Sequence, residues 1–211
     1  MHVLGDLSLI KLYDSALSGN CHKVRMLMSF LDLQYEKIPV NWAAGEHLSD
    51  TIRALNPRAQ LPILSDGEHV VWDSQAILTY LARRYGQEHW LPLDANGLSS
   101  VVRWMMLANE EIRALAWARV AVRMNRDHER LARLQSEGRA GLAVLEDQLK
   151  AATWVAGDHF TIADIACFPY VALAPEGGVA LDSYSAVRRW IGQIQAQPGF
   201  VSMPGIAAAS G

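Results

Sequence analysis

The sequence predicts an α/β domain followed by an all-helical domain, and three observations lead to this prediction. Strand and helix patterns alternate over the first 86 residues, whereas every clear pattern after residue 97 is helical. Glycine, proline and asparagine cluster between residues 85 and 97, as is typical of a linker. The 211 residues suffice for one large domain or two small ones. We therefore predict domains at 1–86 and 98–211, joined by a linker at 87–97.

The first domain is predicted to have the element order β-α-β-α-β-β-α. Residues 7–13 alternate between apolar and polar, which indicates a strand, and apolar residues recur at helical spacing over 21–33. Pro39 near the end of the second strand indicates that this strand lies at a sheet edge. The five elements after the first helix are a strand at 35–40, a helix at 49–55, strands at 61–64 and 69–72, and a helix from 73 to about 86. One sheet with helices on both faces is the economical packing of these elements.

The second domain is predicted to consist of helices without a convincing strand. The first two helices carry a stripe of apolar residues at helical spacing. The four helices are expected at 98–126, 128–150, 165–173 and 185–197. Thr161 and Asp164 stand three residues apart before the third helix, a spacing close to that of a capping box.

The composition excludes several classes of protein. A chain that is 51% hydrophobic and 19% charged is not a disordered tail, and a net charge of −3 gives no electrostatic footprint for nucleic acid. No apolar run approaches the ~20 residues of a membrane helix, and the first residues lack the features of a signal peptide. The cysteines Cys21 and Cys167 form neither a CxxC motif nor a disulfide framework. We therefore expect two free thiols in a reducing cytoplasm, no membrane partner, no metal site and no cofactor.

The loop between the first strand and the first helix is the most informative candidate site. A strand-to-helix junction directs free backbone N–H groups and the positive end of the helix dipole at one point, where an anion is stabilised. Ser18 can add a hydroxyl donor there and Asn20 an amide donor. Serine and asparagine are also common helix N-caps, so an ordinary helix start is the alternative interpretation.

Cys21 in the same loop has two interpretations. At a helix N-terminus beside His22 and Lys23, a lowered thiol pKa would make it nucleophilic. Alternatively, the side chain points inward as a small hydrophobic group. Because no resolving cysteine stands nearby, the inward orientation is favoured.

Two further segments could hold the ends of a small peptide. Pro62 in an apolar strand cannot donate to the strand ladder, and a cis Leu61–Pro62 bond would leave the Leu61 backbone open to an extended ligand. From the residues alone, a trans proline at a sheet edge is the more common arrangement. Asp73 and Ser74 begin a helix with a carboxylate, a hydroxyl and free N–H groups, which together can bind both charges of an amino-acid head. Plain N-capping is again the alternative.

Taken together and in their order along the chain, these segments resemble the cytosolic glutathione S-transferase family, and the resemblance covers nearly the whole length of the chain. The matching segments are SGNCHKVRMLM, LNPRAQLPIL, DSQAILTYLARRY and TIADIACFPY. The resemblance implies a thioredoxin-like N-terminal domain, an all-helical C-terminal domain, a homodimer and a cis bond before Pro62. It also implies that glutathione is a co-substrate of a transferase whose other substrate is a small apolar electrophile.

The resemblance further implies roles for individual residues around glutathione. Leu61 would pair its backbone with the cysteinyl part, and Asp73 and Ser74 would hold the γ-glutamyl head. Gln60 would contact the peptide backbone or the glycyl end, and His47 is a further candidate for the glycyl carboxylate. The complete set of expected glutathione contacts is Gln60, Leu61, Pro62, Asp73, Ser74 and His47.

Ser18 matches the activating hydroxyl of the serine-type enzymes of this family, and its pairing with Asn20 looks like a bacterial group in which both residues address the sulfur. Tyr13 lies before the loop and does not fit the tyrosine-type enzymes. Cys21 does not fall at the activating position, which Ser18 occupies, so a cysteine-type enzyme that forms a mixed disulfide is not favoured. A free thiol has a pKa of about 8.5, so about 3% is ionised at pH 7. Hydrogen bonds and the helix dipole favour the thiolate, so Ser18 is expected to act as a donor and not as a base.

The electrophile pocket is expected in the helical half, from Met105, Met106, Arg113 and Trp117. Methionine and aromatic side chains suit an apolar pocket that accepts varied ligands, although core packing or dimer contacts explain each residue as well.

Conjugation and detoxification are the predicted function. Glutathione-dependent disulfide or peroxide reduction, isomerisation, and non-catalytic binding are the alternatives. The segment LNPRAQLP is similar to the maleylacetoacetate isomerase branch, whose Ser-Ser-Cys loop this chain lacks.

Overall fold

The computed structural model describes residues 9–207, so Leu7 and Ser8 of the first predicted strand lie outside the described residues, as do 208–211 of the second predicted domain. The first half contains the seven predicted elements in the predicted order. They are β1 (Ile10–Asp14), α1 (Gly19–Phe30), β2 (Tyr35–Pro39), α2 (Asp50–Leu55), β3 (Ile63–Asp66), β4 (His69–Trp72) and α3 (Ser74–Arg84). These residues therefore fold locally as their sequence pattern indicates.

The four strands form one mixed sheet in the order β2-β1-β3-β4. β1 pairs in parallel with β2 and antiparallel with β3, and β3 pairs antiparallel with β4. The edge position predicted for β2 from Pro39 is confirmed, and Pro39 is the last residue of that strand. This arrangement brings the end of β1 and the start of β3 side by side, with α1 and α3 following close to them.

Helices cover both faces of the sheet, as predicted. Ile63 and Leu64 are neighbours in β3 and both are fully buried, but they belong to different apolar clusters because successive strand residues face opposite sides. Leu64 packs in the main core, which contains the buried faces of α1 and α3. Ile63 packs with Ile52 of α2 and with Cys21 on the other side. The thioredoxin-like arrangement of the N-terminal half is thereby confirmed.

The C-terminal half is helical, and its helices are α4 (Ala95–Asn109), α5 (Glu111–Arg123), α6 (His128–Ala151), α7 (Ile162–Ala172) and α8 (Ser185–Gln195). After β4, the described residues contain only two isolated bridges, Trp154–Gly157 and Met203–Ile206, and no further strand. None of the helices in residues 9–207 combines the length and the apolar character that a bilayer crossing requires.

The prediction of one helix over 98–126 is wrong, because the chain forms α4 and α5 with a break at Glu110. Glu110 has φ −108° and ψ −93°, outside the helical region. Neither glycine nor proline marks this break, so the sequence contains no signal for it.

Asp94 caps α4 through the N–H groups of Asn96 and Gly97, and α4 therefore begins within the expected linker at 87–97. The proposed domain boundaries themselves stay a prediction.

The predicted capping box at Thr161 and Asp164 is confirmed, and α7 begins directly after Thr161 instead of at Ile165. Asp164 is fully buried and accepts hydrogen bonds from the Val155 N–H at 3.0 Å and from Trp190 Nε1 at 2.9 Å. Burial raises the pKa of Asp164 to about 6, against the effect of these hydrogen bonds. One carboxyl group thus connects α7 with α8 and with the preceding loop.

His22 on α1 is a fully buried histidine inside this apolar packing. Its ring lies 6.4 Å from that of Phe168 and 6.3 Å from that of Phe200, and both ring nitrogens lack a hydrogen-bond partner in the described part of the chain. Burial, with a smaller effect from the Arg25 charge, lowers the pKa of His22 from 6.5 to about 3. Protonation of this ring is therefore much easier in the unfolded chain.

We expect the free energy of unfolding to contain an acid-sensitive contribution from His22. Between pH 6.5 and pH 3 the unfolded chain binds a proton at His22 that the folded chain does not, so this contribution is lost as the pH falls. A His22→Phe variant should lose less stability than the parent protein when urea unfolding is compared at pH 7 and pH 4.5. His128→Phe, at an exposed histidine, is the control. Equal pH dependence of parent and His22→Phe would contradict this assignment.

Candidate functional site

Ser18 is the N-cap of α1 and still has a hydroxyl proton to offer. Its Oγ accepts a hydrogen bond from the Cys21 N–H at 3.3 Å, and the side chain is half-buried. Because this cap uses a lone pair of the hydroxyl oxygen, the O–H remains available as a donor to an anion. The two interpretations of Ser18 from the sequence, cap and anion donor, are therefore compatible.

Cys21 points inward, as favoured from the sequence. The Ser15 N–H lies 3.4 Å from its Sγ, and the side chain is fully buried in the cluster that contains Ile52 and Ile63. Burial and the Asp14 carboxylate raise the pKa of the Cys21 thiol to about 12. A protein thiolate at this position is therefore strongly disfavoured.

The side chain of Asn20 connects the beginnings of α1 and α3. Its Oδ1 lies 3.0 Å from Lys23 Nζ, on the same helix, and 3.1 Å from Ser74 Oγ, at the first residue of α3. Ser74 is buried, and its hydroxyl proton is used in this contact. The Ser74 hydroxyl that was expected to face a ligand carboxylate thus donates to Asn20 here. The Ser74 backbone N–H is in the first turn of α3, where no intrahelical acceptor exists.

Asp73 has a strained backbone conformation at the N-cap of α3. Its φ of 75° and ψ of 127° lie outside the regions that residues other than glycine adopt readily. Such a conformation costs on the order of 1–3 kcal/mol and occurs preferentially at functional sites. One carboxylate oxygen accepts from the Gln75 N–H at 2.9 Å, and the other lies 3.7 Å from Arg58 Nη1. The partly exposed carboxylate can therefore contact both the helix end and a ligand.

A small pocket lies between the starts of α1 and α3 and the segment before β3. Its lining residues are Asn20, Asn56, Arg58, Gln60, Leu61, Pro62, Trp72, Asp73 and Ser74. Six of these were expected from the sequence, and the peptide bond before Pro62 is cis, as the resemblance implied. The structure thus brings together side chains from three separate segments of the chain.

Asn56, Arg58 and Trp72 line the pocket but were not identified as site residues from the sequence. Asn56 is buried, its Nδ2 donates to the Gln60 carbonyl at 2.8 Å and its Oδ1 accepts from the Arg58 N–H at 3.0 Å. An asparagine that bonds to the backbone two residues later is a common turn former. Its position directly before Pro57 was the signal in the sequence from which this turn could have been predicted. Asn56 therefore holds the turn that leads to the pocket.

Ser18 and His47 lie outside the lining of this pocket. Ser18 is two residues from Asn20 in the same loop. His47, the candidate for the glycyl carboxylate, is buried beneath Trp42, with the two rings nearly parallel and their centres 3.5 Å apart. Its Nδ1 has no partner in the described part of the chain. A role for His47 at the glycyl carboxylate stays a prediction.

The residues expected at the electrophile pocket have different surroundings. Met105 is buried, and its side chain packs in the main core. Its carbonyl accepts a hydrogen bond from Gln75 Nε2 at 3.3 Å. Met106 and Trp117 are about half-exposed, and the Arg113 guanidinium lies 5.6 Å from the centre of the Trp117 ring. The existence of an electrophile pocket at these residues stays a prediction. In residues 9–207, no group of three His, Cys, Asp or Glu side chains could hold a metal ion.

Comparisons with known proteins match both halves of the chain. Residues 12–89 match the model of the glutathione S-transferase N-terminal domain, and residues 129–192 match that of the C-terminal domain. The chain is 30% identical to glutathione S-transferase 3 of Zea mays in an alignment of 210 positions that covers 90% of this chain and 91% of that protein. It is 29% identical to glutathione S-transferase GstB of Escherichia coli strain K12 over 198 residues, which cover 90% and 95%.

Solved structures agree with these matches. A glutathione S-transferase from Pseudomonas fluorescens superimposes with a TM-score of 0.86 at 31% identity, over 93% of this chain and 99% of that one. Both domain models, the curated relatives and the solved structure therefore agree on fold and family. The chain belongs to the glutathione S-transferase family, which makes it an enzyme with glutathione conjugation as its general function.

Proposed function

We propose that this protein binds glutathione in the pocket between α1 and α3 and stabilises its thiolate for attack on a small apolar electrophile. One observation carries the proposal: two helix N-termini, the Asn20 amide and the Asp73 carboxylate converge on a single pocket. Glutathione has two carboxylates, an ammonium group and an ionisable thiol. The pocket offers a group of matching charge or hydrogen-bonding type for each of them.

The γ-glutamyl head lies at the start of α3 in this proposal. The Asp73 carboxylate pairs with the ammonium group, and the Ser74 backbone N–H and the positive helix end bind the carboxylate. Arg58 places a half-exposed guanidinium 3.7 Å from Asp73 and adds a cation to this side of the pocket. Gln60 contacts the peptide towards its glycyl end, and Leu61 pairs with the cysteinyl backbone beside Pro62.

The sulfur lies at the start of α1, where Ser18 and Asn20 donate to it. Lowering the thiol pKa from about 8.5 by two units requires ~2.7 kcal/mol of preference for the thiolate. A hydrogen bond to a charged group contributes ~1.5–3 kcal/mol, so one such bond nearly suffices and the helix dipole adds to it. The attack then needs no protein base. Cys21 takes no part in it, because its thiol is buried and its pKa is raised.

A homodimer in the cytoplasm completes the proposal. Large apolar side chains stay exposed on the helical half and can form contacts between two copies. They include Val102, Met106, Val122, Met124 and Val144. The free, buried thiols of Cys21 and Cys167 suit a reducing compartment. The mass of the purified protein by light scattering tests the dimer.

Binding to glutathione resin together with turnover of three substrates tests the proposed reaction. A chloronitroarene reports conjugation, a mixed glutathione disulfide reports reduction, and maleylacetoacetate reports isomerisation. We expect retention on the resin and turnover of the chloronitroarene. Retention without turnover of any substrate would instead indicate a binding protein, and no retention would contradict the proposed pocket.

Replacing Ser18 with alanine is expected to raise the thiol pKa of bound glutathione by about one to two units, the equivalent of one hydrogen bond to a charged group. An ultraviolet titration of the bound thiolate measures this shift. Ser49→Ala is the matched control, because Ser49 caps α2 through the Ile52 N–H at 3.4 Å in the same way. Because both variants lose a helix cap, a thiol pKa that rises in Ser18→Ala but not in Ser49→Ala assigns the Ser18 hydroxyl to the sulfur. A thiol pKa unchanged in Ser18→Ala excludes that role.

Replacing Asp73 with asparagine should raise the KM for glutathione about tenfold or more, because a charge-assisted contact with the ammonium group becomes a neutral one. Asparagine keeps the helix cap, so stability should change little. Asp94→Asn provides the comparison, since Asp94 caps α4 away from the pocket. Steady-state kinetics with varied glutathione measure the effect. An equal KM in the Asp73→Asn variant and the parent protein would remove Asp73 from the binding site.

A further inference from the structure

Lys23 is a buried cation beside the proposed sulfur site. It lies on α1, three residues after Asn20, and is 2% exposed. Its Nζ lies 3.0 Å from Asn20 Oδ1 and 4.6 Å from the centre of the Tyr170 ring on α7. None of the ion pairs within residues 9–207 includes Lys23. The ammonium group therefore has an amide oxygen and an aromatic face as its partners.

This contact determines which end of the Asn20 amide faces the pocket. An ammonium group can only donate hydrogen bonds, so the amide atom nearest to Lys23 has to be the oxygen. The Ser74 hydroxyl, 3.1 Å from the same oxygen, then donates as well. With its oxygen accepting two hydrogen bonds, Asn20 has only its NH₂ group left for a ligand in the pocket.

Ser74 alone would not determine this orientation. A hydroxyl can donate or accept, so it can pair with either end of a rotated amide. A rotated Asn20 would present its oxygen to the sulfur, where it would oppose a thiolate. Lys23 is the contact that distinguishes the two orientations of the amide, because its ammonium form, which predominates below pH 8, cannot accept.

The protein keeps this lysine at a cost to its stability. Burial lowers the pKa of Lys23 to about 8; Arg113 also lowers it, whereas Cys167 and Asp73 raise it. A buried charge without a carboxylate partner is unfavourable, and methionine, which has a similar length, would fill the same space without that cost. Packing against Tyr170 therefore does not require a lysine here.

We propose that Lys23 is a positioning residue that holds the NH₂ group of Asn20 towards the glutathione sulfur. This inference rests on the proposed function, since the sulfur site at Asn20 belongs to it. Lys23 does not touch the sulfur itself and acts through the amide. Its loss frees the amide to rotate and removes a donor from the thiolate.

The test compares Lys23→Met, Asn20→Ala and the double variant. We expect Lys23→Met to raise the thiol pKa of bound glutathione and to lower kcat/KM about as much as Asn20→Ala does, roughly tenfold for one hydrogen bond. The double variant should lose no more than either single variant, because both changes remove one shared contact. Lys23→Arg, which keeps a donor, should retain a lower thiol pKa than Lys23→Met.

Thermal unfolding separates this role from a structural one. Lys23→Met should raise Tm while it lowers activity, and a structural role would instead lower Tm. Between pH 8 and pH 10.5 the folded chain releases a proton that the unfolded chain keeps, so the cost of the buried charge fades over this range. The Tm gain of Lys23→Met should accordingly be larger at pH 7 than at pH 10.

The Asn20→Asp variant tests the same inference, because Lys23 and Ser74 can both still donate to the side chain at position 20. The carboxylate can accept from Lys23 and Ser74 but has no NH₂ group, so the thiol pKa of bound glutathione should rise above that of Asn20→Ala. An unchanged thiol pKa in Lys23→Met, with a raised one in Asn20→Ala, would overturn the role of Lys23 and leave the proposed function intact. Failure of the parent protein to bind glutathione would overturn the proposed function itself.

Discussion

The Asn20 amide holds the N-termini of α1 and α3 together, and the pocket depends on this contact. Its oxygen accepts from Lys23 on α1 and from Ser74 on α3, residues that meet only in the folded chain. Each helix N-terminus offers free N–H groups and a partial positive charge. Because both ends open onto one pocket, two anionic groups of the same ligand can be stabilised a short distance apart. A thiolate and an α-carboxylate of one small peptide fit this arrangement.

The helical half also supports the loop that contains Ser18. A Cβ atom at Gly19 would lie 2.5 Å from a ring carbon of Tyr170, so glycine at this position leaves room for the Tyr170 ring of α7 to pack against α1. From α5, Arg119 donates to the Leu17 carbonyl at 2.9 Å, directly before Ser18. The loop is thus held by the sheet on one side and by two helices on the other. Residues outside the pocket consequently help to fix Ser18, which the proposed function places at the glutathione sulfur.

Local signals in the sequence predicted most of the fold and much of the site. Each element of the first half ends at, or within two residues of, a glycine, proline, aspartate or asparagine, and these residues mark boundaries for physical reasons. The cap residues Ser18 and Asp73 were identifiable because a cap is a property of a few neighbouring residues. The break at Glu110 was missed because the apolar period continues across it without a helix breaker.

Features that depend on distant contacts were not predictable in this way. Lys23 and Ser74 share an acceptor although 51 positions separate them, and burial of Lys23 requires Tyr170, far along the chain. The neighbours Met105 and Met106 have the same side chain, yet one is in the core and the other is half-exposed. Residue type identifies an apolar side chain but not the face of the helix on which it lies.

The thiol pKa of glutathione bound to the parent protein tests the central claim most directly. An ultraviolet titration of the saturated complex, compared with free glutathione, reports the thiolate fraction without any second substrate. The convergence of Ser18, Asn20 and the α1 N-terminus predicts a bound thiol pKa well below the free value of about 8.5. A bound thiol that titrates at the same pH as free glutathione would contradict the claim that this pocket stabilises the thiolate.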